Sequence, residues 1–273
     1  MRLRIILLLI LSHFLCDFIL QNEKILRLRF SEDMSDNLKG NAVHSLMHFF
    51  VMFFIMSLFG YSYYFKIILY IAISHFAIDE VKTLAIKFKK SLENNIVLFL
   101  LDQLLHMIVI PVVVCDLSLN KALNSIYEVI KVYPDGINVV DRYIIISIVF
   151  ILCTWGAGIF IMKYIKSTNL NGYAHLIDKG FVIVKKSSDV NSGARNGGFI
   201  IGILERIFIL IGISIGQPSM IGFVLTAKSI ARFKKLDDDS FVEYFIIGTF
   251  ISFIIAIIGG IIIYNLNVIP IIK

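Results

Sequence analysis

Apolar residues occur in long runs separated by short polar stretches. Seven runs of about twenty mostly apolar residues occur, near residues 3–21, 41–60, 62–82, 95–115, 141–163, 197–216 and 241–264. A helix needs roughly 20 such residues to cross the hydrocarbon core of a bilayer. The pattern therefore predicts an all-α fold, a polytopic transmembrane helical bundle.

A shorter apolar segment from Pro218 to Phe233 is a candidate for one more span. Proline suits the first turn of a helix, where its missing N–H is not needed. Lys228 and Arg232 interrupt the segment, so a re-entrant or interfacial helix is the alternative. The sequence thus predicts seven or eight membrane helices.

The composition agrees with a membrane protein. Hydrophobic residues make up 58% of the chain and charged residues 17%, with a mean hydropathy of +0.85, whereas soluble domains have about 25% charged residues. The net charge of +6 comes from Lys and Arg scattered between apolar runs. Because these residues form no continuous basic face, we expect no nucleic-acid partner. The bilayer itself is the expected partner.

Lys and Arg concentrate in alternate connections between the runs. Residues 22–40 and 82–94 hold four each, and residues 163–196 hold six. Positively charged loops stay in the cytoplasm, which predicts that these loops are cytoplasmic and that the N-terminus is outside. Arg2 and Arg4 argue for the opposite orientation. The first run lacks a small-residue cleavage site and is predicted to be a retained helix.

The longest polar stretch, residues 166–198, is rich in Asn, Gly and Ser and predicts a boundary between two membrane modules. We predict a four-helix transmembrane module in residues 1–116. Residues 117–196 are predicted to form a connecting span and a polar cytoplasmic loop. Residues 197–273 are predicted to form a C-terminal module of three to four membrane helices.

Five of the six histidines and three aspartates form pairs inside the first four apolar runs, each pair four residues apart. The pairs are His13 with Asp17, His44 with His48, His75 with Asp79, and Asp102 with His106. Residues four apart lie on one helix face. Because consecutive spans reverse direction, the positions of the pairs along their runs place all of them in the same half of the bilayer. With the predicted orientation, this is the cytoplasmic half.

Ionisable groups inside a membrane are costly and mark function. Imidazoles and carboxylates without thiolates suit a divalent metal, and the eight residues are enough for one or two ions. We predict Zn as the metal, with Mn or Fe as alternatives, and expect Gln21 and Gln103 to orient the ligands. A metal-free proton or ion relay and purely structural helix contacts remain open as alternatives.

The C-terminal module carries a different set of charged residues within its apolar segments. They are Glu205, Arg206, Lys228, Arg232 and Glu243. Unpaired charges are costly in lipid, so we predict ion pairs between helices, such as Glu205 with Lys228 or Arg232, and Arg206 with Glu243. A substrate path or a site for an anionic headgroup is the alternative.

The motifs HFLCDFILQ (13–21), HSLMH (44–48), HFAID (75–79) and DQLLH (102–106) resemble those of a bacterial integral membrane family catalogued as domain of unknown function 3307. The resemblance covers roughly the first 115 residues. The stretches 202–206, 227–233 and 243–249 look like the C-terminal extension of longer members. The resemblance implies a multi-pass protein of the bacterial cytoplasmic (inner) membrane and supports the motif positions, but it implies no reaction.

The leading functional hypothesis is a metal-dependent hydrolase that acts near the cytoplasmic face on a lipid or lipid-linked substrate. A looser likeness, through His/Asp pairs in membrane helices, is to membrane-bound metal-dependent hydrolases. The metal would activate a water molecule, and Asp17 or Asp102 is the candidate catalytic base. A divalent cation or proton transporter and a non-catalytic membrane sensor or anchor are the alternatives.

Overall fold

The computed structural model describes residues 2–132, 134–167, 197–233 and 239–268, and every regular element in these ranges is helical. The α-helices are α1 (Arg2–Phe14), α2 (Glu23–Arg29), α3 (Met34–Leu58), α4 (Phe65–Phe88), α5 (Ile96–Val114), α6 (Leu119–Val132), α7 (Val139–Ile151), α8 (Ala157–Ser167), α9 (Gly197–Ser214), α10 (Ser219–Arg232) and α11 (Asp239–Asn265). Two π-helical segments, Leu15–Leu20 and Leu152–Gly156, follow α1 and α7 without a break. The all-α prediction is confirmed.

Five helical segments in the described part are long and apolar enough to cross a bilayer. They are Arg2–Leu20, Met34–Leu58, Ile96–Val114, Val139–Ser167 and Phe245–Asn265. Helix α4 has 24 residues but carries more charge than these five, because Asp79, Glu80 and Lys82 lie close together in it. The chain is therefore a polytopic helical membrane protein, while the number of seven or eight spans stays a prediction.

The chain divides into two compact units, Met1–Ile148 and Val149–Lys273. The three-part division proposed from the sequence stays a prediction, since most of the polar stretch used as its boundary lies outside the described residues.

The first unit is built around a closed bundle of four helices. Helix α1 packs against α3 and α5, and α4 packs against the same two helices. In one half of this bundle the interior is apolar and fully or almost fully buried. The residues concerned are Ile5, Leu8, Leu9, Met52, Met56, Ile68, Ile71, Ile110 and Val114. The other half of the interior contains the histidines and aspartates.

Ion pairs mark the two ends of the first unit. At the end where α1 begins, Arg4 contacts Asp141 at 2.6 Å and Arg2 contacts Asp116 at 3.7 Å. At the opposite end, Lys90 contacts Glu32 at 2.6 Å and lowers the pKa of the Glu32 carboxyl group. The connections before α3 and after α4 therefore share one end, as the alternating loops predict.

Helix α2 packs closely against the start of α3 and brings Arg29 inside the protein. Asn22 caps α2 by accepting a hydrogen bond from the backbone N–H of Ile25. Gly40 permits the close approach, because a Cβ atom at this position would collide with the backbone of Leu28 and Arg29. The segment predicted to be a cytoplasmic loop thus contributes one of its four cations to the interior, where Arg29 is only 4% exposed.

Helix α6 lies between α5 and α7 and is amphipathic. Ala122 is buried, whereas the apolar side chains of Leu119, Leu123 and Ile126 are exposed. The spacing of three and four residues puts them on one face. The sequence analysis placed this segment in a connection and did not predict the helix.

In the second unit, α9 packs against α10 and α11, and α11 also packs against α8. Its apolar core contains Ile209, Val224, Phe253 and Ala256. The segment predicted from Pro218 to Phe233 is helical, and α10 has 14 residues. Such a helix is about 21 Å long at 1.5 Å per residue, which is shorter than a typical hydrocarbon core.

Candidate metal centre

The structure brings all eight predicted ligands together inside the first unit. His13 lies in the last turn of α1, and Asp17 lies in the π-helical segment that follows. The others are His44 and His48 on α3, His75 and Asp79 on α4, and Asp102 and His106 on α5. Asp17 is half-buried, and the other seven are at most 3% exposed. The π-helical segment that ends this first helix carries the central carboxylate.

Asp17 lies at the centre of the imidazoles. Its Oδ1 is 3.0 Å from Nε2 of both His44 and His48 and 3.6 Å from Nε2 of His75. Its Oδ2 is 3.6 Å from Nε2 of His13. Four imidazoles from three helices therefore converge on one carboxylate.

The fifth imidazole, that of His106, packs against two of the other rings. Its ring centroid is 4.2 Å from that of His75 and 5.0 Å from that of His13. Its Nδ1 donates a hydrogen bond to the backbone carbonyl of Asp102 at 2.8 Å, since a carbonyl oxygen can only accept. The Nε2 atom of His106 therefore keeps a free lone pair, the form in which an imidazole binds a metal.

Three groups of these residues have ligand atoms close enough to share an ion. In each group, one nitrogen or oxygen atom per residue lies within 4.8 Å of the others. The groups are His13, Asp17, His48 and His75; His44, His75 and Asp79; and Asp79, Asp102 and His106. All eight predicted ligands belong to at least one group.

Many polar atoms in this cluster are buried without a hydrogen-bond partner in the described part of the chain. In the imidazoles they are Nε2 of His13, His75 and His106 and Nδ1 of His44, His48 and His75. In the carboxylates they are Oδ2 of Asp79 and Oδ1 of Asp102. Buried polar groups are nearly always satisfied, so these atoms are candidates for ligand atoms.

The group around Asp17 suits a tetrahedral ion. Metal–ligand bonds of about 2.0–2.1 Å put neighbouring ligand atoms of a tetrahedron about 3.3–3.4 Å apart. The distances from Asp17 oxygens to Nε2 of His48, His75 and His13 are 3.0, 3.6 and 3.6 Å. These three distances, one of which is the hydrogen bond between His48 and Asp17, lie on either side of the spacing between ligand atoms in a tetrahedral zinc site.

Two cations that were not predicted as part of the site, the buried Arg29 and the half-buried Lys82, compensate the other two aspartates. Arg29 contacts Asp79 Oδ1 at 2.6 Å, and Lys82 contacts Asp102 Oδ2 at 2.6 Å. Lys82 follows Asp79 by three residues, about one helical turn, so the sequence could have placed it on the same helix face as Asp79. Arg29 gave no such signal, because only the packing of α2 brings it inside.

Further polar side chains hold the Arg29 guanidinium in place. Arg29 Nε donates to Asn41 Oδ1 at 3.0 Å, and the Asn41 amide donates to Glu80 at 2.6 Å and to Thr83 at 3.1 Å. Asn37 donates to the backbone carbonyl of Arg29. This network fixes the cation that faces Asp79.

The two glutamines expected to orient ligands differ in their contacts. Gln103 donates to Asp17 Oδ2 at 3.1 Å and to Asp102 Oδ2 at 3.3 Å, so it links two of the carboxylates. The side-chain nitrogen of Gln21 is buried without a partner among the described residues. Gln21 directly follows the π-helical segment that carries Asp17.

The charges of the cluster do not cancel within the protein. Its three carboxylates face two cations, Arg29 and Lys82, when the imidazoles are neutral. One negative charge remains in a buried site where an uncompensated charge is costly. A divalent ion together with one hydroxide ion, or a single proton on an imidazole, would cancel it.

In the second unit, Lys228 Nζ lies 2.7 Å from Glu205 Oε2, and this is one of the predicted pairs. Arg206 donates from Nε and Nη2 to the carbonyl of Thr154 at 3.2 and 2.7 Å, and from Nη1 to Ser252 at 3.1 Å. The predicted pairings with Arg232 and Glu243 fall outside the side chains that the structure describes.

No curated protein and no solved structure matches this chain. A family model described as "protein of unknown function (DUF3307)" matches residues 5–133. The match covers α1 to α6 and includes every residue of the candidate centre. Residues 5–133, with their four motif pairs, belong to the DUF3307 family of proteins of unknown function.

Proposed function

We propose that the first unit contains a membrane-embedded metal centre and that this centre hydrolyses a lipid or lipid-linked substrate. The observation that carries the proposal is the convergence of four imidazoles on Asp17, with buried ring nitrogens left unpartnered among the described residues. His13, Asp17, His48 and His75 would bind the ion, which is Zn, with Mn or Fe as alternatives.

The charge of the cluster supports hydrolysis over a static role for the ion. With a divalent ion held there, the cluster would carry one excess positive charge, and one hydroxide ion derived from water would make it neutral. Such an ion activates water and polarises a carbonyl or phosphoryl group. Asp102, whose Oδ1 is unpartnered among the described residues, is our candidate general base, and Asp17 serves as a ligand.

The apolar half of the bundle argues against a path for ions through this unit. Beyond the cluster, α1, α3, α4 and α5 contribute buried Ile, Leu, Met and Val side chains. An ion would have to cross this region without ligands, at high cost. A site open to one side suffices for an enzyme, and a lipid can approach it from within the bilayer.

The orientation of the chain completes the proposal. Basic loops before α3 and after α4 lie at the end of the bundle that is nearer the cluster, and such loops stay in the cytoplasm. We propose a protein of the bacterial cytoplasmic membrane with its N-terminus outside and its centre in the cytoplasmic half. Labelling of single cysteines placed in residues 22–33 and 115–118, in intact cells, tests this orientation.

The deciding experiment is metal analysis of detergent-purified protein. We expect a stoichiometric divalent metal in the wild type and its loss in His48→Ala and in His75→Ala. His175→Ala is the matched control, since this histidine lies outside the four motif pairs. Absence of metal from the wild type, or the same metal content in all four proteins, would refute the metal centre.

Activity is tested separately with the metal-loaded protein in phospholipid vesicles. Hydrolysis products of anionic or zwitterionic phospholipids, detected by mass spectrometry and abolished by chelation and by His48→Ala, are expected. Passage of Zn²⁺ into vesicles containing an indicator, without such products, would instead establish the transport alternative.

A further inference from the structure

The group of Asp79, Asp102 and His106 has the composition of a second cation site. One ligand atom from each residue lies within 4.8 Å of the others, and all three side chains are at most 3% exposed. Asp79 Oδ2, Asp102 Oδ1 and His106 Nε2 have no hydrogen-bond partner among the described residues. These atoms would be the expected ligands of a second divalent ion beside the centre at Asp17.

The protein already supplies cations at this place. Lys82 Nζ is 2.6 Å from Asp102 Oδ2 and interacts electrostatically with Asp79 as well. Arg29 occupies the other oxygen of Asp79 at 2.6 Å. Two carboxylates and two protein cations are therefore locally balanced, and a second divalent ion would add two uncompensated positive charges to a buried site.

We propose that the Lys82 ammonium takes the place of a second metal ion and so keeps the centre mononuclear. This inference rests on the proposed metal centre at Asp17. Lys82 holds Asp102 through Oδ2, so that Asp102 stays out of the coordination sphere and its Oδ1 remains available to accept a proton. Lys82 is thus a residue that determines the number of ions and the role of Asp102.

The test is the number of ions bound per chain after equilibrium dialysis against excess Zn²⁺. We expect one ion in the wild type and two in Lys82→Met, because the variant leaves Asp102 without its cation. Lys82→Arg, which keeps the charge, and Lys87→Met, which removes a lysine from the same helix outside the cluster, are expected to bind one. Two ions in the wild type, or one ion in both the wild type and Lys82→Met, would overturn the inference.

The same measurement separates this inference from the proposed function. No ion in the wild type together with one in Lys82→Met would reject the centre at Asp17 and retain the second site. No ion in either protein would reject both. If Lys82→Met does not fold, the electron paramagnetic resonance spectrum of the Mn²⁺-saturated wild type decides, since an isolated ion supports the inference and an exchange-coupled pair overturns it.

Discussion

Each unit buries charged residues among apolar helices, but the two do so with different results. In the second unit, Glu205 is paired with Lys228, and each nitrogen of the Arg206 guanidinium donates to Thr154 or Ser252. In the first unit, six imidazole nitrogens and two carboxylate oxygens are buried without a hydrogen-bond partner among the described residues.

This difference is the one we expect between polar groups that join helices and polar groups that receive a ligand. The guanidinium of Arg206 fits where glycines leave room: a Cβ on Gly158 would lie 3.1 Å from its Nη2, and a Cβ on Gly202 would lie 3.1 Å from its Nη1. Among the described residues, each nitrogen of this guanidinium has a hydrogen-bond acceptor. The cluster in the first unit is buried but keeps polar atoms without hydrogen-bond partners among the described residues. For this reason we propose the metal centre in the first unit.

The largest effect is expected from removing the buried cation of the first unit. Arg29→Met leaves Asp79 buried without its cation, and breaking such a pair costs about 3–5 kcal/mol. We expect a matching fall in unfolding free energy in detergent. In Arg29→Met/Asp79→Leu most of the loss should be recovered, because no unpaired charge remains. Equal losses in the single and double variants would contradict this reading.

A somewhat smaller effect is expected from Asp17→Asn, which keeps the shape of the side chain but removes its charge. Changes in residues that merely orient a ligand lower metal affinity about 10–100-fold, so loss of a ligand charge should lower it by more than about 100-fold. Competition with a chelating indicator measures the affinity. Glu205→Gln is the matched control in the second unit, and an equal effect there would end the distinction between the units.

Arg206→Met, in the second unit, is expected to lower the stability of the protein without changing its metal content. It leaves the Thr154 carbonyl and the Ser252 hydroxyl without their buried donor, which costs about 1–3 kcal/mol. Thermal unfolding in detergent should report this loss, while the metal content stays at the wild-type level. A loss of metal in this variant would show that the charges of the second unit also belong to the centre.

The smallest effect is expected at the end of the first unit, for Glu32→Gln. Lys90 holds the pKa of Glu32 below its ordinary value, so the pair stabilises the protein above the unfolded pKa and loses its effect as the pH falls through the lower folded value. Both side chains are exposed and screened by salt. We expect no resolvable change in thermal stability at neutral pH; a clear one would mean that the pair is coupled to the buried network.

The helical class and the meeting of the motif pairs could be predicted from the sequence, because both follow from periodicity, while the depth of the site in the membrane stays a prediction. Pairs four residues apart on reversing helices have few arrangements, and His13, His48 and His75 meet as expected. The cations could not be predicted in the same way. Arg29 enters the interior only through the packing of α2 at Gly40, a tertiary contact that local pattern does not encode.

The polar pairing in the second unit was only partly accessible from the sequence. An unpaired charge in an apolar helix is costly, and this cost predicted the pair of Glu205 with Lys228. Arg206 instead uses a backbone carbonyl at a π-helical turn, and no residue-type pattern announces such an acceptor. Helix α6 was also missed, because Lys and Glu within residues 117–132 give this segment the composition of a loop.

Every residue of the centre, together with Arg29 and Lys82, lies between His13 and His106. Chains are synthesised from the N-terminus, and N-terminal domains fold first. The ribosome has therefore delivered the complete set of ligands and counter-charges before the helices of the second unit are made. Every side chain that the candidate centre uses is therefore present in the membrane before the second unit is synthesised.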